Sequence, residues 1–107
     1  MIVTTQDEVA GYEITETIGI VRGNTIRARH IGNDIVAGLR TIVGGEITEY
    51  TKMLAESREQ ALDRMIENAE ANGADAVVCA RFTTSAVLQG SAELLAYGTA
   101  VKLRKKT

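Results

Sequence analysis

Proline and tryptophan are absent from these 107 residues, cysteine and histidine occur once each, and aromatic residues make up only 4%. Each shortage excludes something. A lone Cys79 rules out an internal disulfide and suits a reducing compartment. One cysteine and one histidine, 49 positions apart, do not make the short, regular spacing of four converging ligands that a structural zinc site needs. With only Tyr12, Tyr50, Phe82 and Tyr97 as aromatics, the core must be aliphatic and thin, so burial against sister subunits is its natural supplement. Charge of one sign is also missing. Twelve basic residues against fourteen acidic ones leave −2, which lacks the concentrated positive field of a general nucleic-acid binder. No stretch approaches the roughly 20 apolar residues of a membrane span, and Met1–Glu8 has neither the basic start nor the apolar run of a signal peptide. These features predict a cytoplasmic protein with no membrane or nucleic-acid partner.

Enzyme signatures are equally scarce. Gly44-Gly45 is followed by Glu46-Ile47-Thr48 rather than the Gly-Lys-Ser/Thr of a phosphate loop, and there is no Gly-x-Ser-x-Gly elbow. A Cys79–His30 pair is the one nucleophile–base combination the composition allows, and no local motif supports it.

What is present is secondary-structure patterning. At 107 residues the chain makes one domain, 1–107. Ile2–Thr5 reads as a short strand. Tyr12–Arg22 reads as a longer one, with Ile14, Ile18 and Ile20 on one face, and Gly23-Asn24 as a turn into Thr25-Ile26-Arg27. Ile35, Val36, Leu39, Ile42 and Val43 recur at helical spacing and stop at Gly44-Gly45. A long helix over 46–72 follows, with Ile47, Tyr50, Leu54, Ala61, Leu62, Met65 and Ala69 along one side and Gly73 as its stop. Ser57-Arg58-Glu59-Gln60 resembles a capping box, which leaves open a break into two helices. Ala74–Thr84 alternates as a core strand, with Ala76, Val78, Ala80 and Phe82 on one face. Gln89-Gly90-Ser91 turns into Ala92–Leu103, whose odd positions Leu95, Tyr97, Val101 and Leu103 are apolar and whose even positions Ala96, Gly98 and Ala100 are small enough for close approach. The class is α+β, a sheet of about four strands, antiparallel or mixed, on one long and one short helix.

The Ile42-Val43-Gly44-Gly45 joint, the helix with Tyr50, Leu54, Arg58 and Ala61, then Gly73-Ala74-Asp75-Ala76-Val77-Val78 and Gly98-Thr99-Ala100-Val101 together resemble the YbjQ-like family of small bacterial and archaeal proteins. The likeness spans nearly the whole chain. It implies a dodecin-like β-α-β-β subunit, a ring-shaped homo-oligomer of five copies, and a heavy-metal-binding label with a divalent or soft metal ion as cofactor. Glu46 stands where such proteins usually carry a basic residue, and Phe82-Thr83-Thr84 where an acidic-aromatic pair is common.

Three groups of side chains carry chemistry. Arg58 lies in the apolar stripe beside Leu54, where it either lays its stem on apolar surface or pairs with a carboxylate of a neighbouring subunit, making Arg58, Tyr50 and Leu54 the candidate interface. Arg22, Arg27, Arg29 and His30 form either a solvated rim or a site for a small anion. His30 and Cys79 are the candidate metal ligands, while a free cysteine in a strand is commonly just a small buried side chain. The helix stripe Glu56, Glu59, Asp63, Glu67 and Glu70 reads as a solvated face.

Overall fold

A computed structural model describes residues 1–27, 48–88 and 91–107 of the chain. The described elements are β1 (Ile2–Val3), β2 (Tyr12–Arg27), α1 (Thr48–Ala71), β3 (Ala76–Leu88) and β4 (Ser91–Lys105). They form a four-stranded sheet in the order β1-β3-β4-β2. It is mixed, since β1 runs parallel to β3 while β4 is antiparallel to both β3 and β2. A single helix covers one face. The α+β class and the β-α-β-β core of β2, α1, β3 and β4 are as the sequence reads. The short helix through Val43, the Gly44-Gly45 joint and the start of the long helix at Glu46 lie outside the described residues.

The helix is continuous through Ser57, which settles the capping-box ambiguity. Ser57 is fully buried, and its carbonyl accepts a bond from the buried Thr25 hydroxyl at 3.3 Å. That contact clamps the helix to β2. Ala61, Met65 and Ala69 follow Ser57 at four-residue intervals and pack with Val21, Val77, Ala96 and Ala100. The helix ends at Gly73, whose φ of +76° opens the left-handed region. There the Gly73 N–H bonds Glu70 O at 3.0 Å and the Ala74 N–H bonds Ala69 O at 3.1 Å, the paired bonds of a Schellman cap.

Gly23-Asn24 is not a turn. β2 runs straight through it, paired with β4 from Tyr12 to Arg27. The glycine serves another purpose: a Cβ there would lie 2.3 Å from Ala61 O and 2.3 Å from Met65 N. The helix backbone sits directly on the strand at this point, and only a residue without a side chain allows it.

Two alternations predicted from sequence are broken by bulges. Val78 pairs with Thr99 but Arg81 pairs with Tyr97, so β3 carries one extra residue around Cys79, whose φ is +54°. Ala76 and Val78 therefore face away from the helix, whereas Phe82, opposite Ala96, comes round to the helix side. In β2 the register slips between Ile14 and Glu16 and again between Thr17 and Gly19. Ile18 consequently packs toward the helix-side core, Val21 is its buried member, and Ile20 projects from the opposite face. β4 has no such slip: Ala96, Gly98 and Ala100 line the helix side, as their small size suggests.

Candidate functional site

The face of the sheet away from the helix is covered only in part. At one end Val9, in the loop after β1, packs with Ala76, Val78, Val101, Cys79 and Leu103. Beyond the β3 bulge that cover stops among the described residues. Cross-strand rows can be read from the register: Ile20 beside Thr99, Arg22 beside Tyr97 and Tyr97 beside Arg81, then Asn24 beside Leu95 and Leu95 beside Thr83. Such neighbours stand about 5 Å apart. Ile20 is 76% exposed, Ile26 59% and Tyr97 38%, so aliphatic and aromatic surface lies open here. Ile20, Arg22, Thr83, Leu95 and Tyr97 line a shallow depression in this face.

The two arginines of the central row differ. Arg81 is anchored, its Nη1 donating to Thr5 O at 2.9 Å and to Ala80 O at 2.8 Å. Arg22 holds the helix by its backbone N–H, which donates to Asn68 Oδ1 at 3.3 Å, while its guanidinium has no partner among the described residues. Arg22 and Arg27 are not brought together. Without a turn between them their backbones sit about 16 Å apart on one extended strand. Arg29 and His30 lie outside the described residues.

Cys79 is half-buried at the bulge, its N–H bonded to Gln6 O at 2.9 Å, within the apolar cluster under Val9. No three His, Cys, Asp or Glu side chains converge among the described residues. Arg58 is exposed, with half-buried Leu54 and Leu62 on either side along the helix, and no ion-pair partner among the described residues. Tyr50 belongs to the helix, but its side chain lies outside the described ones. Two exposed ion pairs, Lys102–Glu16 at 3.6 Å and Arg104–Glu13, tie β4 to β2.

This topology is shared with the crystal structure of a Pediococcus pentosaceus protein of unknown function from the DUF74 family. The TM-score is 0.63 at 17% identity, covering 97% of this chain and 98% of that one, which establishes the common fold. Residues 1–104 match the YbjQ family model, described as "putative heavy-metal-binding". The chain belongs to the YbjQ family. UPF0145 proteins from archaea and bacteria are similar along their whole length: one from Methanosarcina acetivorans is 60% identical over 99% of this chain and 100% of its own. One from Methanococcus vannielii is 66% identical over 98% and 100%. A third, from Photobacterium profundum, is 57% identical over 96% and 100%.

The family description is not matched by a metal centre within the described residues of one YbjQ chain. Cys79 supplies one thiol, but its neighbours are alanine, valine and leucine rather than further ligands. Sequence reasoning missed the open face. Ile20, Ile26 and Tyr97 were visible as apolar strand positions, but the bulges that expose them carry no sequence signal beyond Gly19.

Proposed function

We propose that this YbjQ protein is a self-assembling subunit without a catalytic centre, working in the cytoplasm as a ring of identical copies, five by family resemblance. The observation that carries the reading is the mismatch between the sheet and its covering layers. The Cα radius of gyration is 17.4 Å, where a self-contained domain of this length gives about 13 Å. The long axis is 59 Å, and exposed Ile20, Ile26 and Tyr97 stand on the sheet face that no described element covers. Such surface is ordinary at a subunit contact and costly in water. Arg58 adds to the argument: a guanidinium between Leu54 and Leu62 with no partner among the described residues is suited to a carboxylate on the next copy. In this arrangement heavy-metal binding belongs to the assembly, with ligands contributed by more than one chain.

Native mass spectrometry of protein purified without chelators tests the reading, reporting subunit number and bound metal together. A single assembled species is expected, and Ile20→Asp should break it down. A clean monomer at micromolar concentration refutes it.

A second reading rests on Arg22. Its guanidinium, without a partner among the described residues, lines one depression with Tyr97 and Thr83 and offers a shallow seat for a small anion. Phosphate or nucleotide should then slow hydrogen exchange at 20–24 and 95–99, and unchanged exchange removes this alternative.

A further inference from the structure

A strand at the edge of a sheet presents unpaired N–H and C=O groups that template pairing with another strand, and proteins guard such edges with charge, proline, bulges or covering elements. The two long edges of this sheet are treated differently. On the outer side of β2, the Arg22 N–H is taken by Asn68 Oδ1 at 3.3 Å, and the Asn24 carbonyl accepts Arg64 Nη1 at 2.5 Å. Arg22 and Asn24 have the same parity, so both bonds lie along one rail, and the helix itself caps that edge. Toward its start β2 also carries two bulges and Glu13 and Glu16.

The outer side of β3 is covered only as far as Ala80. β1 pairs with Ala76 and Val77, then Gln6 O accepts the Cys79 N–H and Thr4 O accepts the Ala80 N–H. From Phe82 to Leu88 there is no partner on that side among the described residues. The sequence of this stretch, Phe-Thr-Thr-Ser-Ala-Val-Leu, has no charge and no proline, and its one register shift against β4 falls at its far end, between Ala86 and Leu88. It is β-branched and apolar, the type of segment that pairs with its like.

We propose that Phe82–Leu88 pairs antiparallel with the same strand of a second copy across a two-fold axis, so that one sheet runs through two subunits. A second copy fits because the β2 edge is already capped, which leaves β3 itself as the matching edge. An uncharged strand meeting itself brings no like charges together. A two-fold contact also closes on itself, using up an edge that would otherwise template open-ended stacking. Seven residues span about 23 Å, and such an edge buries roughly half of the ~800 Å² per partner typical of a stable interface. One contact is therefore weak. Between two rings, several act in parallel and reinforce one another; only that last step draws on the ring reading.

The test is Ser85→Lys, measured by native mass spectrometry and light scattering. Ser85 is exposed and its register partner is Glu93, so a lysine there is tolerated within the subunit and repels its counterpart across the two-fold axis. The expected result is an even subunit number in the wild type, halved in the variant, with an unchanged circular dichroism spectrum. An unchanged number overturns the proposal, because the edge is then covered by something else, whether residues 28–47 or another protein. A fall to monomer from anything larger than a dimer also overturns it, because the edge is then the ring contact. A wild-type dimer that Ser85→Lys turns into monomer upholds the strand pairing and refutes the ring. Single cysteines at Thr83 and Ser85 in a Cys79→Ser background provide a check independent of the lysine. At least one should form an intermolecular disulfide under mild oxidation, and failure of both overturns the pairing.

Discussion

Gly23→Ala replaces a hydrogen by a methyl group and leaves every charge and polar bond in place, so its effect reports on one contact. The added Cβ meets Ala61 O and Met65 N at 2.3 Å and Arg64 C at 2.7 Å, all of them backbone atoms of α1. Ordinary contact needs about 3.4 Å, and no rotamer change can move a backbone, so the helix must retreat by roughly 1 Å. The layer formed by Ala61, Met65, Ala69 and Val21 then loses close packing along its length. A radial gap of that size forfeits a quarter to a half of each dispersion contact. Overpacking of this kind costs typically 1–3 kcal/mol, and the absence of any flexible neighbour argues for about 3. Replacing glycine returns only about 0.4–1 kcal/mol through the unfolded chain. The net loss of about 2–3 kcal/mol corresponds to a fall in Tm of roughly 10–20 °C for a domain of this size. Thermal unfolding followed by far-ultraviolet circular dichroism, at one fixed protein concentration because assembly adds to stability, measures it. Gly98→Ala is the comparison. Its nearest contact, Val77 Cγ1 at 2.5 Å, is a side-chain atom that can shift, so the loss should be smaller. A Gly23→Ala midpoint within 2 °C of the wild type would refute the seating of α1 on β2.

Other substitutions separate packing from assembly. Met65→Ala empties the largest fully buried side chain of the helix-side core and should cost about 2–5 kcal/mol in urea unfolding. Arg104→Ala removes the pair with Glu13, both side chains well exposed, and should change stability by less than about 1 kcal/mol. Arg58→Ala should leave the helical signal intact and lower the subunit number, since its guanidinium has no partner among the described residues of its own chain. Cys79→Ser should leave assembly unchanged. If instead it abolishes metal retention measured by elemental analysis, the thiol is a ligand in the assembly.

Legibility from sequence followed how local the controlling interaction is. Gly73 was readable because a left-handed cap depends on a few neighbouring residues, and both Schellman bonds close within five positions of it. The small even positions of β4 were readable because a bulge-free strand keeps its period from Ser91 to Lys105 on the β2 and helix side. Gly23 looked like a turn because Gly-Asn is a turn pair, yet the residues that demand glycine there, Ala61 and Met65, are about forty positions away in sequence. Tertiary contact overrode the local signal, and a strand without a turn sets the backbones of Arg22 and Arg27 about 16 Å apart. The bulge at Cys79 had the same effect on β3. One extra residue reverses which face the next side chains occupy, here as far as the second register shift between Ala86 and Leu88, so Phe82 moved to the helix side and Arg81 came beside Tyr97. The open face is therefore a product of register rather than of composition. The bulge at Cys79 also marks where the outer hydrogen bonds of β3 to the segment after β1 stop. A strand edge and the apolar face formed by Ile20, Ile26 and Tyr97 therefore lie at the same end of the sheet, where one chain has no described layer to place over them.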